Sequence, residues 1–323
     1  MQTMTVFDTF RHLQFRLDAD VLGQKQLTAR LLIALLADGH LLLEGPPGLA
    51  KTRAIKSLAA LVEAGFHRLQ FTPDLLPADL TGTEVFRPQD GSFRFERGPL
   101  FHEFVLADEI NRAPAKVQSA LLEAMAERQI TIGQATHRLP PLFMVMATQN
   151  PIEQEGTYPL PEAQLDRFLM QVQVGYPAAE VEREILTLAR REARQDGALQ
   201  TAPVATRELV FAARRAVLDL HLAPDLEDYI VRLCVSTRHP EHIDPGLAGM
   251  VRFGASPRGT IALERCARAH AWLAGRDYVS PADIQAVAPD VLRHRLLLSY
   301  EAQAAGMCAD TLIDALLQRV RVP

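Results

Sequence analysis

Apolar side chains recur at helical spacing from Leu27 to Ala37. The Asp38-Gly39 pair ends that pattern, and His40-Leu41-Leu42-Leu43 then reads as the start of a short buried strand. A glycine-rich turn begins at Gly45, and Lys51 to Glu63 carries the Ala, Leu and Ile pattern of a helix packed on a sheet. Further apolar runs of strand length lie at Phe66 to Thr72, Phe104 to Asp108, Leu142 to Thr148 and Phe168 to Val174, with a helical pattern at Pro114 to Arg128 among them. Strands that alternate with helices predict a parallel sheet covered on both faces. Two segments break the alternation. Val85 to Phe95 sets Pro88-Gln89-Asp90-Gly91 between strand-like flanks, with Phe93 and Phe95 on one face, and Gln129 to Leu139 alternates Ile130 and Ile132 before a Gly133-Gln134 turn. Both predict hairpins that project from the sheet, near 85–95 and 129–139.

Beyond Gly175-Tyr176-Pro177 the strand signals stop. Ala178 to Glu192 is helical, Ala193 to Pro203 is polar, and helices are predicted at Arg207 to Leu220, Asp225 to Thr237, Pro257 to Leu273, Pro281 to Arg293 and Ala309 to Val320, several opened by Pro or a capping Ser or Asp. The expected division is an α/β domain over 1–200 and an all-helical domain over 201–323.

Composition then narrows the class. With 48% hydrophobic and 23% charged residues in 323, the chain is an ordinary globular protein and not a disordered or fibrous one. A net charge of -5, from 34 Lys and Arg against 39 Asp and Glu, leaves no bulk positive field for nucleic acid or an anionic membrane. Cys234, Cys266 and Cys308 show no short pairing, which excludes a disulfide framework and a thiolate metal site. The first twenty residues lack the apolar core of a secretory signal. The stretch Leu31 to Leu43, broken by Asp38-Gly39-His40, falls short of the roughly 18 to 20 residues a membrane span needs, so a cytoplasmic protein without a membrane span is expected.

Three strand ends carry candidate chemistry. Gly45-Pro46-Pro47-Gly48-Leu49-Ala50-Lys51-Thr52 matches the phosphate-binding pattern G-x-x-x-x-G-K-[ST] except that Ala50 replaces the second glycine, a change that a right-handed helical conformation there would accommodate. Such a loop directs backbone N–H groups and a helix N-terminus at phosphate; Lys51 would reach the β- and γ-phosphates of a nucleotide and the Thr52 hydroxyl would bind Mg2+. Phe104-Val105-Leu106-Ala107-Asp108-Glu109 ends a buried strand in two carboxylates. Asp108 would hold Mg2+ through Thr52 and water while Glu109 polarises the attacking water; alone, the pair also fits a cap on the helix that follows Ala113-Pro114. Met144-Val145-Met146-Ala147-Thr148-Gln149-Asn150 delivers an amide where ligands sit in open α/β sheets. Asn150 could hold both water and a γ-phosphate oxygen, or merely open a turn with Pro151.

These motifs, followed by Asn111-Arg112-Ala113-Pro114, by Leu160-Pro161-Glu162-Ala163-Gln164-Leu165-Asp166-Arg167-Phe168 and by Gly254-Ala255-Ser256-Pro257-Arg258, closely resemble the MoxR family of AAA+ ATPases over nearly the whole chain. The resemblance implies a P-loop α/β domain with a C-terminal helical lid, ATP and Mg2+ as ligands, and a homo-oligomeric ring, hexameric in this group, with ATP between neighbouring subunits. It implies that the two hairpins are the helix-2 and pre-sensor-1 insertions. It makes Lys51 and Thr52 the Walker A pair, Asp108 and Glu109 the Walker B pair, Asn150 sensor 1, Arg167 the arginine finger and Arg258 sensor 2, in cis or in trans. Leu22 and Gly23, in Val21-Leu22-Gly23-Gln24, resemble the lining of the adenine pocket. From spacing alone Arg167 reads as a surface arginine paired with Asp166 or Glu162, and Arg112 fits an interface or a helix-flanking charge equally.

The resemblance further implies chaperone-like remodelling or maturation of a partner, including metal-cofactor insertion, and a partner with a von Willebrand factor type A domain. Alternatives within the same group are a chelatase-type motor subunit and a nucleic-acid translocase, the latter resting on Arg87, Arg94, His137 and Arg138 in the hairpins against an acidic chain. His239-Pro240-Glu241-His242 reads as a solvated loop and not a metal pair, and Arg293-His294-Arg295 as a charged helix end.

Overall fold

The computed structural model describes residues 5–89, 91–133, 135–150, 156–194 and 202–323. They form two compact units: Met1–Leu32, His40–Leu160 and Val172–Phe211 in the first, Ile33–Gly39, Pro161–Gln171 and Ala212–Pro323 in the second. The boundary expected at residues 200 and 201 falls outside the described residues.

In the first stretch of chain, helices α1 (Val6–Asp20) and α2 (Lys25–Leu36) precede β1 (Leu41–Glu44), α3 (Lys51–Leu61), β2 (Phe66–Gln70) and α4 (Pro77–Thr81). A capping box between Thr5 and Asp8 starts α1. Next come β3 (Gly82–Arg87), β4 (Ser92–Arg97), β5 (Phe104–Asp108), α5 (Ala115–Glu127), β6 (Gln129–Ile132), β7 (Ala135–Arg138) and β8 (Met144–Gln149). The series ends in α6 (Glu162–Leu165), β9 (Met170–Gln173) and α7 (Ala179–Arg194). Five strands form one sheet in the order β2-β5-β8-β1-β9, and the pairs β2 with β5, β5 with β8 and β8 with β1 are parallel, as the alternation predicted.

Burial follows position in that order. Leu41 to Leu43, Phe104 to Ala107 and Met144 to Ala147 are buried on both faces, which is why their sequences are continuous apolar runs. The β2 strand stands at the edge and is half exposed. The register sets Gln70 beside Asp108 and Glu44 beside Gln149, so the polar residues that end the strands share one rim of the sheet. His40 ties two layers together: its Nδ1 accepts from the Val145 N–H at 3.0 Å, which leaves Nε2 to donate to the Met125 carbonyl at 3.3 Å.

Both hairpins form outside that sheet, β3 on β4 and β6 on β7, each as a separate two-stranded ribbon. The first is longer than its turn signal suggested because Gly82 and Arg97 extend the pairing. The hairpins also touch: Phe95 stacks on His137 with ring centroids 4.1 Å apart and meets Phe101 edge-on, while Phe86 and Phe93 pair across the strands and stay exposed. His137, a candidate nucleic-acid contact on sequence grounds, therefore serves hairpin packing.

The C-terminal part carries α8 (Arg207–Leu218), α9 (Pro224–Ser236), β10 (Val251–Phe253), α10 (Pro257–Leu273), α11 (Pro281–Leu292), β11 (Leu297–Leu298), α12 (Tyr300–Ala304) and α13 (Ala309–Arg319). Ser256 caps α10 by accepting from the Arg258 N–H, and Ser280 with Asp283 forms a capping box on α11. The antiparallel ladder between β10 and β11 is a short non-helical addition to the expected helices. Among the described residues no helix is long and apolar enough to cross a membrane.

Two readings of short charged segments gain detail here. His239 and His242 are exposed, as a solvated segment requires; residues 240–242 make one 3-10 turn, the two imidazoles stack 5.3 Å apart, and they border a cavity of about 460 Å3 with Val231, Val235, Ile243 and Val320. Among the described residues no cluster of three or more His, Cys, Asp or Glu is placed to hold a metal. Arg293-His294-Arg295 does follow the end of α11, as expected of a charged helix end, but it turns inward. His294 and Arg295 are buried, because each finds backbone carbonyls to satisfy it: His294 Nε2 lies 3.1 Å from the Phe168 oxygen, and Arg295 Nη2 lies 2.6 Å from the same atom.

Burial, and then the positive charge of Arg295, holds the His294 imidazole well below the ordinary histidine value, against a weaker opposing pull from the Phe168 carbonyl. A base with a depressed folded pKa takes its proton more readily when unfolded. Stability is therefore full above about pH 6.5 and falls as pH drops below it, by up to about 1.4 kcal/mol per pH unit. Urea denaturation at pH 7 and pH 5.5 should show this loss in the wild-type chain and a smaller one in His294→Gln. His67, also lowered by burial, adds a slope of the same sign to both proteins, so the difference reads His294. Equal losses in the two proteins would contradict the assignment.

Candidate active site

The rim of the sheet holds a pocket of about 400 Å3 whose walls come from the three predicted motifs: Pro47 to Arg53 from the turn after β1, Asp108 and Glu109 from the end of β5, and Thr148 to Asn150 from the end of β8. Arg68 of β2 completes it. The volume is that of a small-molecule site. The sheet's parallel register explains the convergence, because every contributing strand ends at the same edge.

The loop before α3 is built tightly. A Cβ on Gly45 would stand 2.3 Å from the Val174 carbonyl oxygen, so a side chain there would push backbone against backbone. Gly48 has φ +81°, a left-handed conformation natural to glycine. Ala50 is also left-handed, at φ 56° and ψ 18°, where sequence reasoning placed a right-handed turn. The second glycine of the generic pattern would relieve that strain; here a methyl group bears it. Lys51 turns back to donate to the Gly45 carbonyl. Burial lowers the Lys51 pKa below the usual lysine value, while the carboxylates of Asp108, Glu109 and Glu44 pull it upward.

The carboxylates are held by partners that the sequence did not announce. The Thr148 hydroxyl donates to Asp108 Oδ1 at 2.6 Å and accepts from the Glu109 N–H at 2.9 Å, so one buried threonine sets both acidic residues. Arg68 grips Asp108 Oδ2 from Nε at 3.1 Å and Nη2 at 2.6 Å. Glu109 Oε2 accepts from Gln70 Nε2 at 2.8 Å and meets Arg112 Nε at 3.0 Å. Arg112 is thus a counter-charge to Glu109. Glu109 itself is left-handed, at φ 58° and ψ 51°, and its side chain caps no helix. Strain of this kind persists where the surroundings over-determine the backbone, as the bond to Thr148 does here. The signal for Arg68 and Gln70 lay in the alternation of β2, which turns both toward the edge that Asp108 ends; it is visible only once β2 is known to neighbour β5.

The remaining candidates divide by unit. Asn150 is buried in the pocket wall. Leu22 and Gly23 belong to the first unit, outside the pocket lining; Gly23 has φ +78° and sits where a Cβ would come 2.6 Å from Val181, while neighbouring Gln24 donates to the Gly175 carbonyl. Arg167 and Arg258 belong to the second unit, the former half-buried and the latter exposed at the first turn of α10. Asp166, one of the two surface partners that spacing alone offered Arg167, accepts from Arg295 and Ser256.

As a donor set, the pocket suits a phosphate and a hard cation together. Lys51 and the N-terminus of α3 offer positive charge and N–H groups to phosphate, and Thr52 with Asp108 offers hydroxyl and carboxylate oxygen, the ligands Mg2+ prefers. Arg68 already pairs with Asp108, so a cation bound there would exchange with that counter-charge.

Comparison with known proteins agrees with this geometry. Residues 40–170 match the family model described as "ATPase family associated with various cellular activities (AAA)", and residues 248–316 match the AAA lid domain. The chain is 48% identical over 310 residues to Chaperone MoxR1 of Mycobacterium tuberculosis, covering 96% of this chain and 81% of that protein. It is 36% identical over 332 residues to Protein MoxR of Paracoccus denitrificans, covering 97% and 96%. A crystal structure of a candidate ATPase from Cytophaga hutchinsonii superposes with a TM-score of 0.92 at 44% identity, covering 98% of this chain and 96% of that one.

The left-handed Ala50 yields a direct test. Glycine removes a conformational cost of about 1 to 2 kcal/mol and returns about 0.4 to 1 through its greater freedom in the unfolded chain. Ala50→Gly should leave stability unchanged or raise it by up to about 1.6 kcal/mol in urea denaturation. A loss near 1 kcal/mol, as expected for glycine replacing a right-handed alanine, would contradict the conformation described.

Proposed function

Because the chain belongs to the MoxR family of AAA+ ATPases, we propose that it binds ATP with Mg2+ in the pocket at the sheet edge and hydrolyses it as part of a homo-oligomeric ring. The observation that carries this reading is the convergence of Lys51, Thr52, Asp108, Glu109 and Asn150 on one pocket from three separate strand ends. Lys51 and the loop N–H groups bind the triphosphate. Thr52 and Asp108 would hold Mg2+, which when bound offsets phosphate charge. Glu109 orients and polarises the attacking water, and Asn150 positions that water against the γ-phosphate without adding charge.

Arg167 is the group that completes a neighbouring subunit's site. Its fixed, planar fork suits charge spread over transferring phosphoryl oxygens better than a lysine would. Arg258, at the start of α10, reports nucleotide state to the lid, and Leu22 and Gly23 border the base. Changes at the subunit interface on hydrolysis would then move the lid and the paired hairpins, remodelling or maturing a client protein, as the name of the mycobacterial relative suggests for that protein. A von Willebrand factor type A domain is the client class proposed.

Three variants test the site, read by binding of a fluorescent ATP analogue and by phosphate release. Lys51→Ala should abolish binding. Glu109→Gln should bind ATP and fail to turn it over, and undiminished turnover would remove Glu109 from its role. Arg167→Ala should bind normally and lose about 10^3- to 10^5-fold in turnover. For the client, pull-down with von Willebrand type A proteins should depend on ATP; association with none of them in either nucleotide state would reject that class.

A further inference from the structure

The Arg293-His294-Arg295 triplet, which the function above leaves unused, closes on the segment that carries Arg167. Arg295 donates from Nε to Asp166 Oδ1 at 2.8 Å, from Nη2 to the Phe168 carbonyl at 2.6 Å and from Nη1 to the Leu169 carbonyl at 3.2 Å. Its side chain is 2% exposed. His294 shares the Phe168 carbonyl, and Arg293 Nη1 donates to the Gln171 carbonyl at 2.7 Å while its Nε pairs with Asp310. Three successive side chains thus capture the backbone on the C-terminal side of Arg167.

The other oxygen of Asp166 leads to the second candidate arginine. Asp166 Oδ2 accepts from the Ser256 hydroxyl at 2.7 Å, and Ser256 Oγ accepts in turn from the Arg258 N–H at 3.1 Å. Gly259 lets the first turn of α10 lie against this hub: a Cβ there would come within 3.1 Å of Arg295 Cδ. All of these residues belong to the second unit. A buried guanidinium needs a carboxylate and satisfied N–H groups; apart from the Val291 carbonyl four residues before it, the contacts that satisfy Arg295 here all fall on the segment 166–169 that carries Arg167.

We infer that Asp166 and Arg295 are positioning residues that lock Arg167 and the Arg258 turn into one rigid piece, so that the arginine offered to a neighbour and the lid move together. Neither touches nucleotide; each acts through Arg167. The inference rests on the reading of Arg167 as a residue supplied in trans.

Mixed assemblies test it. Asp166→Asn protomers should bind the ATP analogue as the wild type does and turn over about 10- to 100-fold more slowly, the penalty of a misplaced group. Because their own pockets are intact, they should recover turnover when mixed with Lys51→Ala protomers, whose pockets are dead but whose Arg167 is correctly held. A merely structural defect would not be repaired by a neighbour. If Asp166→Asn does not fold, Arg295→Lys, which keeps the charge facing Asp166 but gives up the fork to Phe168 and Leu169, is read in the same way.

Unchanged turnover in the variant overturns the inference. So does a loss that mixing fails to repair while Arg167→Ala protomers, mixed in the same manner, do recover. Failure of Arg167→Ala to recover would instead reject the in-trans reading, and this inference with it.

Discussion

Two neighbouring carboxylates at the end of a buried strand must be neutralised, and the pocket is organised around that demand. Asp108 and Glu109 leave β5 beside one another, next to a lysine that burial itself disfavours as a cation. Thr148 separates their tasks by donating to one and accepting from the backbone of the other, and Arg68 and Arg112 supply a counter-charge to each. The arrangement is polar at every atom used, yet β1, β5 and β8 are apolar runs up to the polar residues that end them. Incoming phosphate and cation would meet carboxylates already held in place by Thr148, with Lys51 and Arg68 left to exchange their present partners for the ligand.

Two of the left-handed backbone positions border the pocket. Ala50 and Glu109 are both left-handed without being glycine, and each lies where a strand end must turn a functional group into the pocket. At Ala50 the turn brings Lys51 round to face the loop it follows; at Glu109 it directs the carboxylate to Gln70 and Arg112 and keeps the main-chain N–H on Thr148. Strain at these two points is held by the packed sheet beneath them.

Much of this was legible in the chain because it is local. Helix α10 runs from Pro257 to Leu273 as its Ser-Pro start and apolar spacing dictate, and β5 ends at Asp108 where its apolar run ends. What escaped was what depends on strand order or on distant partners. Arg68 is an unremarkable edge-strand arginine until β2 is placed beside β5, and the handedness of Ala50 is a property of the closed loop and not of its residues. The triplet at 293–295 has the composition of a solvated helix end. It is buried only because carbonyls at 168, 169 and 171, more than 120 positions earlier, come to meet it.

The central proposal is that a catalytic crevice is finished only by association, one protomer supplying the pocket and its binding groups and another supplying Arg167 to stabilise the transferring phosphoryl group. Turnover per protomer should therefore be measured across a dilution series, with assembly followed by sedimentation in the same ATP and Mg2+ buffer. The account predicts that specific turnover rises with the assembled fraction and collapses in the monomer. Monomeric protein that hydrolyses ATP as fast, per chain, as the assembled form would contradict it.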